Sequence, residues 1–404
     1  MTAVTPRIQI GRLRSRAAAM VRPRVAPARP PAFVVITATI AVLNVVGLVM
    51  ILSASSVAAL SNYGSSWYFF NRQLAWALVG AVAFVVMSRV DYKRWRKLSP
   101  VILFGTLIAL FVVLIPGIGI MVDGSRRWLG VGSMLRVQPS EIAKVALLLY
   151  AADVLTRRAD SLANWYAWRP VLLVCGGLSA LVLLEPDLDS TIVLGLITFA
   201  LLLAAGVRAR HLVNLAGIGI GLSAILAISA PYRRARVFAF LDPWSDTSNT
   251  GYQIAQSLIA LGSGGVSGVG LGAGRAKWLF LPNAHTDFIF AIIGEELGLV
   301  GCLLVLGLFA GFGLCGFHIA KHAPDRFGAL LAAGITTWIV GQAVINLGAV
   351  VGLLPVSGIT LPFLSAGGSS LVVAMAAAGM LANVARQAVP APARAREATA
   401  APAE

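Results

Sequence analysis

The sequence has few charged residues, few acidic groups and very little cysteine. Only 12% of its residues are charged, whereas 58% are hydrophobic. No soluble fold needs so much apolar surface, and this composition is typical of an integral membrane protein. The three cysteines, Cys175, Cys302 and Cys315, lie in apolar segments without the spacing of metal ligands, so we expect neither disulfides nor redox chemistry.

The shortage of acids leaves a basic chain, with 32 Lys and Arg residues against 16 Asp and Glu. We expect no nucleic-acid partner, because the basic residues gather at the ends of apolar segments. Most of them fall on one side of the predicted spans, so the positive-inside rule predicts that both termini are cytoplasmic. Residues 1–32 hold seven arginines and no acid, which predicts a disordered basic arm in contact with anionic lipids. Residues 387–404 are rich in Ala and Pro and predict a disordered cytoplasmic tail.

Long apolar segments in residues 33–386 predict an all-α integral membrane protein with ten transmembrane helices. The first segment follows an Arg-rich flank, as a signal peptide does, but it exceeds the usual apolar length of about 7–15 residues and is interpreted as an uncleaved helix. A long extracytoplasmic loop, 231–286, is predicted between the seventh and eighth helices. The predicted spans are approximately 33–52, 67–87, 101–121, 139–155, 170–184, 190–207, 212–230, 287–318, 327–351 and 366–384.

Three carboxylates stand at the start of the eighth predicted span, at Asp287, Glu295 and Glu296. Counting about 20 residues back from His318 places the start of the membrane near Leu299, so these acids lie at its outer rim. Ionisable groups at such a boundary are by default a functional hypothesis. The alternative is a solvated helix start, with Thr286 as N-cap and Asp287 stabilising the helix dipole.

The outer segment before the fourth span contains Arg127 and, after Pro139, the pair Glu141 and Lys144. Residues three apart share one face of a helix, so this pair can be an intrahelical ion pair. In the other interpretation Lys144 and Arg127 face an anion, since charges at this depth need a polar cavity.

A further outer turn holds three acids within five residues, Glu185, Asp187 and Asp189. Oxygen ligands suit Mg²⁺ or Mn²⁺, so a cation site is one interpretation. More often such a cluster is a solvated turn that caps the next helix.

The predicted outer loop contains two recognisable elements. Residues 251–261 have the spacing of a short amphipathic helix at the membrane interface. Residues 262–274 are rich in glycine, but no strand precedes them and no Gly-Lys-Ser/Thr follows, which excludes a nucleotide-binding loop. They instead predict a tight loop that brings Arg275, Lys277 and Trp278 to the start of the eighth helix. A later Pro- and Gly-rich segment, 352–370, predicts irregular backbone that is buried or faces a wet cavity.

These motifs together resemble the SEDS (FtsW/RodA/SpoVE) glycosyltransferase family, whose members act in shape, elongation, division and sporulation. The resemblance covers about residues 40–385, and its 352–370 segment is closer to the division members than to the elongation members. In the family, the aspartate at the position of Asp287 is the proposed catalytic residue. The eighth-span signature reads Pro282-x-x-His285-Thr286-Asp287-Phe288-Ile289-Phe290-Ala291-x-x-x-Glu295-Glu296-x-Gly298.

The resemblance implies polymerisation of lipid II, the undecaprenyl-pyrophosphate-linked disaccharide-pentapeptide, into glycan strands outside the cytoplasmic membrane, with Asp287 as the base of one inverting displacement. It also suggests help from a divalent cation, Mg²⁺ or Mn²⁺, for which no ligands can be assigned, and no organic cofactor. We expect substrate binding by Arg127, Glu141, Lys144, Gln256, Ser257, Arg275, Lys277 and Ser365. Supporting roles are expected for Glu185, Asp187, His285, Thr286, Glu295 and Glu296.

The implied partners are lipid II, the nascent glycan strand, surrounding lipids, and a class B penicillin-binding protein that packs against the eighth and ninth spans with other divisome proteins. The implied location is the cytoplasmic membrane at the division septum. Three alternatives stay open: a lipid II flippase, an elongation-type polymerase, and a scaffold that only recruits a partner. The charges cluster at one face instead of lining a route to both sides, which argues against the flippase.

Overall fold

The computed structural model describes residues 31–122, 124–131, 135–244, 251–278 and 280–388. The predicted arm and tail lie almost entirely outside them. Within these ranges the chain forms twelve α-helices and three short strands. In chain order they are α1 (Pro31–Tyr63), α2 (Tyr68–Arg89), α3 (Tyr92–Val113), β1 (Ile120–Val122), β2 (Ser125–Val131), β3 (Leu135–Val137), α4 (Pro139–Arg157), α5 (Trp165–Leu184), α6 (Leu188–Ala205), α7 (Ala209–Ser229), α8 (Pro231–Leu241), α9 (Tyr252–Ser263), α10 (Ile289–Lys321), α11 (Arg326–Val350) and α12 (Gly368–Gln387).

The protein is a multi-pass helical membrane protein. In the described ranges, nine helices are long and apolar enough to cross a bilayer: α1 to α3, α5 to α7, and α10 to α12. The remaining predicted span, the fourth (139–155), is α4, which has the length of a span but carries Glu141, Lys144, Asp153 and Arg157. The fold class is confirmed, whereas the count of ten and the extent of the outer loop stay predictions.

Contacts between helix termini define two ends of the bundle. The Arg386 guanidinium lies 5.8 Å from the Phe33 ring centroid, so the last helix ends where the first begins. The Asn383 amide donates to Ser88 O at 2.8 Å, and Arg326 Nη2 donates to Ala205 O at 2.9 Å. We call this the inner end. The strands, α8, α9 and the residues before α10 lie at the opposite, outer end.

The core surrounds α11. Of the nine helices that are long and apolar enough to span a bilayer, only α12 is more deeply buried than α11. Trp338 and Phe327 of α11 and Phe312 of α10 are almost completely buried there. Large apolar side chains on α2, α3 and α7 remain exposed, as expected for surfaces that face lipid instead of water. The bundle therefore buries its polar residues around α11 and presents apolar residues to the membrane.

The position of α3 differs from the prediction. The helix begins at Tyr92, about nine residues before the predicted span, and it ends at Val113. Asp91 acts as its N-cap, accepting the Lys93 N–H at 3.0 Å. Lys93, Arg94, Arg96 and Lys97, which the predicted spans left outside a helix, therefore lie in the first turns of α3. This is possible because Lys and Arg extend their charged ends to water from a helix whose stems lie against apolar surface.

The outer segment between α3 and α4 forms a three-stranded antiparallel sheet in the order β1-β2-β3. No strand is predicted for this segment from the sequence. Strands β1 and β3 have three residues each, which is too short for alternation of apolar and polar residues to be recognised.

Helix α10 is broken at Gly298, where φ is +65° and ψ is −162°. The glycine-rich loop, residues 264–274, supplies the hydrogen bonds lost at the break. The N–H groups of Val269 and Gly270 donate to the carbonyls of Glu295 and Glu296, each at 3.0 Å. A Cβ atom at residue 298 would meet the Gly268 nitrogen at 2.3 Å, so only glycine fits. The break coincides with the predicted start of the membrane near Leu299.

Candidate functional site

Asp287 lies at the outer end in a turn of residues 281–288, the Asp287 turn, immediately before α10. The alternative of a solvated helix start capped by Thr286 does not describe this geometry. The residue that precedes the helix is Phe288, which makes no side-chain cap. The Thr286 hydroxyl instead donates to Asn283 O at 3.1 Å, within the turn. Asn283 has φ of +56°, a conformation that asparagine tolerates better than most residues.

Three consecutive carbonyls of the Asp287 turn are held from outside it. The Asn346 amide on α11 donates to Asp287 O at 2.8 Å. The Ser365 hydroxyl donates to Thr286 O at 2.6 Å, and the Ala366 N–H donates to His285 O at 2.9 Å. Ser365 and Ala366 belong to the irregular segment between α11 and α12, residues 352–367, which we call the outer hairpin. The backbone around Asp287 is therefore fixed by the rigid part of the bundle.

The outer hairpin is itself anchored in the bundle. The Asn346 amide also donates to Ile359 O at 2.8 Å, and the Leu361 N–H donates to the Ser365 hydroxyl at 2.9 Å. A Cβ at Gly47 of α1 would lie 2.7 Å from Leu364 O, so a glycine there allows the hairpin backbone to contact α1. Residues 359–365 of the hairpin are largely buried in protein, which is one of the two environments predicted for this segment, whereas residues 353–355 are exposed.

The environment of the Asp287 carboxyl favours its neutral form. Burial raises its pKa to about 7, the nearby Asp189 carboxylate acts in the same direction, and Arg236 opposes them. A position at a helix start would lower this pKa, but the effect of burial prevails. Asp189 stands at the start of α6, where its Oδ2 accepts the Gly358 N–H at 2.9 Å.

His285 stands two residues before Asp287 but differs from it in protonation. Its ring packs against Phe69, with centroids 4.5 Å apart. Burial lowers the pKa of His285 to about 4. The imidazole is consequently neutral at pH 7 and a much weaker base than the Asp287 carboxylate.

Arg127 holds the acidic turn between α5 and α6. Its Nε donates to Glu185 O at 2.9 Å, and its Nη2 donates to Pro186 O. The Glu185 side chain is 1% exposed and neither carboxyl oxygen has a hydrogen-bond partner. Burial, assisted by the charge of Asp187 and opposed by Arg127, raises the pKa of Glu185 to about 8. Asp187 caps α6, accepting the Ser190 N–H at 3.0 Å. The turn thus caps the next helix as predicted, but Glu185 and Asp187 are buried instead of solvated.

Lys144 forms the intrahelical ion pair that was one of its two interpretations. Its Nζ lies 2.7 Å from Glu141 Oε1 and 3.3 Å from Gln342 Oε1, and 5.5 Å from the Trp338 ring centroid. Lys144 is 2% exposed and Glu141 7% exposed. Glu141, Gln342 and Ser365 line one narrow cavity at this level. Anion binding by Lys144 stays a prediction and would have to compete with the Glu141 carboxylate.

Lys277, Glu295 and Glu296 stabilise the glycine-rich loop. Lys277 Nζ lies 3.1 Å from Glu296 Oε1, and the Ser53 hydroxyl of α1 lies 2.7 Å from each oxygen of the same carboxylate. Glu295 accepts the backbone N–H of Arg275 at 2.6 Å. Lys277 is buried in this network, whereas the Arg275 side chain is exposed at the outer end.

The remaining predicted contacts lie on α9. The Ser257 hydroxyl is fully buried and donates to Val350 O at 2.8 Å, which satisfies a carbonyl at the end of α11. Gln256 is half-buried on the same helix. Helix α9 occurs where an amphipathic helix is predicted, and it buries Ile254 and Ala260 against the bundle. Ser257 therefore has a structural contact, and its role in substrate binding stays a prediction.

Three residues that share the Asp287 neighbourhood were not among the predicted site residues: Asp189, Arg236 and Asn346. Asp189 carried a signal, since it is the third acid of a cluster from which Glu185 and Asp187 were chosen. Arg236 was one of several arginines in a long loop, and Asn346 looked like an isolated amide in a helix. Only their tertiary contacts distinguish them.

The expected divalent cation has no donor set in the structure. No three Asp, Glu, His or Cys side chains converge to hold a metal ion among the residues described. Asp187 is engaged as a helix cap, with further hydrogen bonds from Gln138 and Ser190. The described residues therefore do not fit a resident cation.

Comparison with known proteins decides the family. The family model described as a cell cycle protein of the FtsW/RodA/SpoVE type matches residues 33–389. The chain belongs to the FtsW/RodA/SpoVE family. This confirms the resemblance given by the motifs, and the match covers all the membrane helices of this family member.

Curated relatives of this family member are similar over most of its length. A probable peptidoglycan glycosyltransferase FtsW of Geobacter metallireducens is 42% identical over 339 residues, covering 84% of this chain and 90% of the relative. Stage V sporulation protein E of Bacillus subtilis is 42% identical over 342 residues, covering 84% and 93%.

Two solved structures share the fold. One is a chain of a peptidoglycan synthase complex described as coordinating polymerization and crosslinking, with a TM-score of 0.72, 27% identity, and coverage of 89% of this chain and 98% of that one. The other is the rod shape determining protein RodA of Thermus thermophilus, with a TM-score of 0.67, 26% identity, and coverage of 90% and 99%.

Proposed function

We propose that this chain is a peptidoglycan glycosyltransferase that polymerises lipid II into glycan strands at the outer face of the cytoplasmic membrane, in septal synthesis during division. Relatives named FtsW, 40–43% identical, support the division role over an elongation role, because the elongation protein RodA is only 26% identical. The orientation with both termini cytoplasmic and the outer end outside follows the charge distribution.

The observation that carries this proposal is the state of Asp287. Its backbone is held by three hydrogen bonds from α11 and the outer hairpin, and burial raises its pKa to about 7. A general base works best when its pKa lies near the pH at which it operates. An ordinary aspartate, with a pKa of about 3.9, would be a much weaker base.

The reaction needs one displacement at the anomeric carbon of the donor sugar. The Asp287 carboxylate takes the proton of the acceptor 4-hydroxyl, whose oxygen forms the new bond while the bond to the pyrophosphate breaks. Charge then grows on the leaving pyrophosphate. Arg236 and Arg127, which act electrostatically on the carboxylates of this region, and the exposed Arg275 are the cations at the outer end that support its departure.

The test is the substitution Asp287→Asn in the full-length protein, assayed for polymerisation of purified lipid II. We expect a loss of about 10²–10⁴-fold, since the amide cannot accept the proton. The matched control is Asp160→Asn, an exposed aspartate in the segment between α4 and α5 at the inner end, which should retain activity. Polymerisation by Asp287→Asn at the control rate would refute the proposal. The flippase would be favoured by two observations together: the unaltered chain does not polymerise lipid II, and Asp287→Asn still translocates it.

A membrane-embedded transpeptidase of the class B penicillin-binding type is the partner that this function implies. Helix α10 offers it an exposed apolar face that includes Leu299, Leu303 and Leu306. Helix α11, the other predicted contact, exposes only Val344 among its large apolar residues. We therefore propose that the partner packs mainly against α10. Crosslinking from cysteines placed at residues 303 and 344 would distinguish the two faces.

A further inference from the structure

A basic cavity lies at the inner end, far from the Asp287 turn. Its volume is about 340 Å³, and it opens between the start of α3, the end of α4 and the start of α11. A water molecule occupies roughly 30 Å³ of liquid, so the cavity has room for an ionic group with its hydration. Its lining consists of Lys93, Arg96, Lys97, Arg157, Asp325 and Phe327.

The acids near this cavity neutralise only part of its charge. Asp153, buried behind the lining, accepts Arg96 Nε at 2.6 Å and lies 2.7 Å from Arg157 Nη2. Asp325 lies 3.4 Å from Lys93 Nζ. Four cations thus face two carboxylates, which leaves an excess of positive charge.

Among the described residues, some hydrogen-bond donors at the cavity have no protein partner. Lys97 has no ion-pair partner in the part of the chain that the structure describes. Arg96 gives Asp153 only its Nε, and its guanidinium lies 5.5 Å from the Phe327 ring centroid, which fixes its plane. A guanidinium with free terminal N–H groups beside an ammonium group matches the geometry of a phosphate.

The same face of α3 continues as an apolar stripe. Below Lys93 and Lys97, at helical spacing, stand Val101, Phe104 and Ile108, which are 68%, 66% and 47% exposed. Exposed apolar side chains at this level face hydrocarbon in a membrane. A ligand with a phosphate and an acyl chain can therefore contact the cations and the stripe together, whereas a free phosphate can use only the cations.

We propose that this cavity binds the phosphate of an anionic phospholipid, whose acyl chain lies along the Val101, Phe104 and Ile108 stripe of α3. Basic pockets between membrane helices commonly bind anionic head groups. The bound lipid links α3, α4 and α11 at the inner end, where the repulsion among four cations would otherwise be balanced by only two acids. The site is independent of the glycosyltransferase reaction proposed for the outer end.

The experiment uses native mass spectrometry of the full-length protein in detergent micelles with phosphatidylglycerol or phosphatidylcholine. We expect retention of phosphatidylglycerol to exceed that of phosphatidylcholine. The variant Lys93→Gln/Lys97→Gln should weaken the phosphatidylglycerol affinity by about fivefold for each lysine. The charge-matched control Arg208→Gln/Arg210→Gln alters two exposed cations at the same end but outside the cavity, and should keep the affinity. Equal losses in both variants would mean diffuse surface attraction and would overturn the site.

A second part of the experiment distinguishes binding of a phospholipid from binding of a free anion. Phe104→Ser should weaken retention of phosphatidylglycerol, whereas the affinity for glycerol phosphate, measured directly without lipid, should stay as in the unaltered chain. Displacement of the lipid by glycerol phosphate or inorganic phosphate at equal concentration would overturn the lipid assignment. If the double lysine variant does not fold, the phosphatidylglycerol affinity of Lys97→Gln alone tests the site. Lys97 makes no ion pair among the described residues, so this substitution breaks no ion pair of the fold.

Discussion

The carboxylates at the two ends of the bundle have opposite environments. At the inner end, Asp325 accepts hydrogen bonds from the Gly328 N–H at 2.8 Å and the Tyr92 hydroxyl at 2.7 Å. Burial acts to raise its pKa, but these bonds and Lys93 outweigh it, and the pKa of Asp325 is lowered. At the outer end, burial dominates at Asp287 and raises its pKa to about 7. The same residue type is thus structural where it is paired and suited to proton transfer where it is not.

The backbone shows the same contrast. Inner helix ends are regular and are joined by short turns, such as the two residues between α2 and α3. The outer end contains the break at Gly298, the outer hairpin and the Asp287 turn, each stabilised by hydrogen bonds from elsewhere in the fold. Irregular backbone gives a side chain positions that a helix cannot offer, and the surrounding bundle supplies its rigidity.

Lys144 forms an ion pair near the outer end. Substitution of Lys144 tests whether a paired charge has a structural role at this end as well. Lys144→Met leaves the buried Glu141 carboxylate without its cation, so we expect a loss of about 3–5 kcal/mol of stability. Thermal unfolding in detergent measures it. The double variant Lys144→Met/Glu141→Leu removes both charges and should recover most of the loss. A single variant that unfolds normally but binds lipid II poorly would show that Lys144 serves the anion instead.

The pH dependence of polymerisation tests the unpaired carboxylate. Asp287 must be ionised to accept a proton, so activity should fall about tenfold per unit as the pH drops below about 7. Replacing the neighbouring carboxylate, in Asp189→Asn, removes one cause of the raised pKa and should move this midpoint to lower pH. The rate of lipid II polymerisation between pH 5 and 9 measures both. A flat profile would contradict the role of Asp287, and an unmoved midpoint would exclude coupling to Asp189.

Replacing an aspartate by asparagine should change the stability at pH 8 in opposite directions at the two ends of the bundle. Because the fold raises the pKa of Asp287, the stability associated with its neutral form is present at low pH and is lost as the pH rises through about 7. Asp287→Asn should therefore stabilise the protein at pH 8 by roughly 1–2 kcal/mol. Asp153→Asn should destabilise it by a similar amount, about 1–2 kcal/mol, reduced by the exposure of Arg96 and Arg157. Apparent melting temperatures of both variants provide the measurement; shifts of the same sign would remove the contrast.

The motifs predicted the location of the candidate site better than the contacts within it. The signature from Pro282 to Gly298 identified Asp287 at the outer rim, and the 352–370 segment was expected to be buried irregular backbone. Spacing left two interpretations of Glu141 and Lys144, since residues three apart on a helix can pair or point together at a ligand. The predicted position of α3 was wrong, because apolarity alone shows where a helix meets lipid and not where its polar first turns begin.

Hydropathy and charge by themselves determined that this chain is a helical membrane protein, because burial of backbone polar groups in lipid permits little else and because an apolar run of sufficient length is visible without any partner. Proximity between distant segments was decided only by the tertiary structure. Asn346, Asp189 and Arg236 meet at Asp287 through packing of α11, α6 and α8, and Lys93, Lys97 and Arg157 meet through packing of α3 and α4. Such contacts depend on three-dimensional complementarity between helices, which the order of residues along each helix does not display.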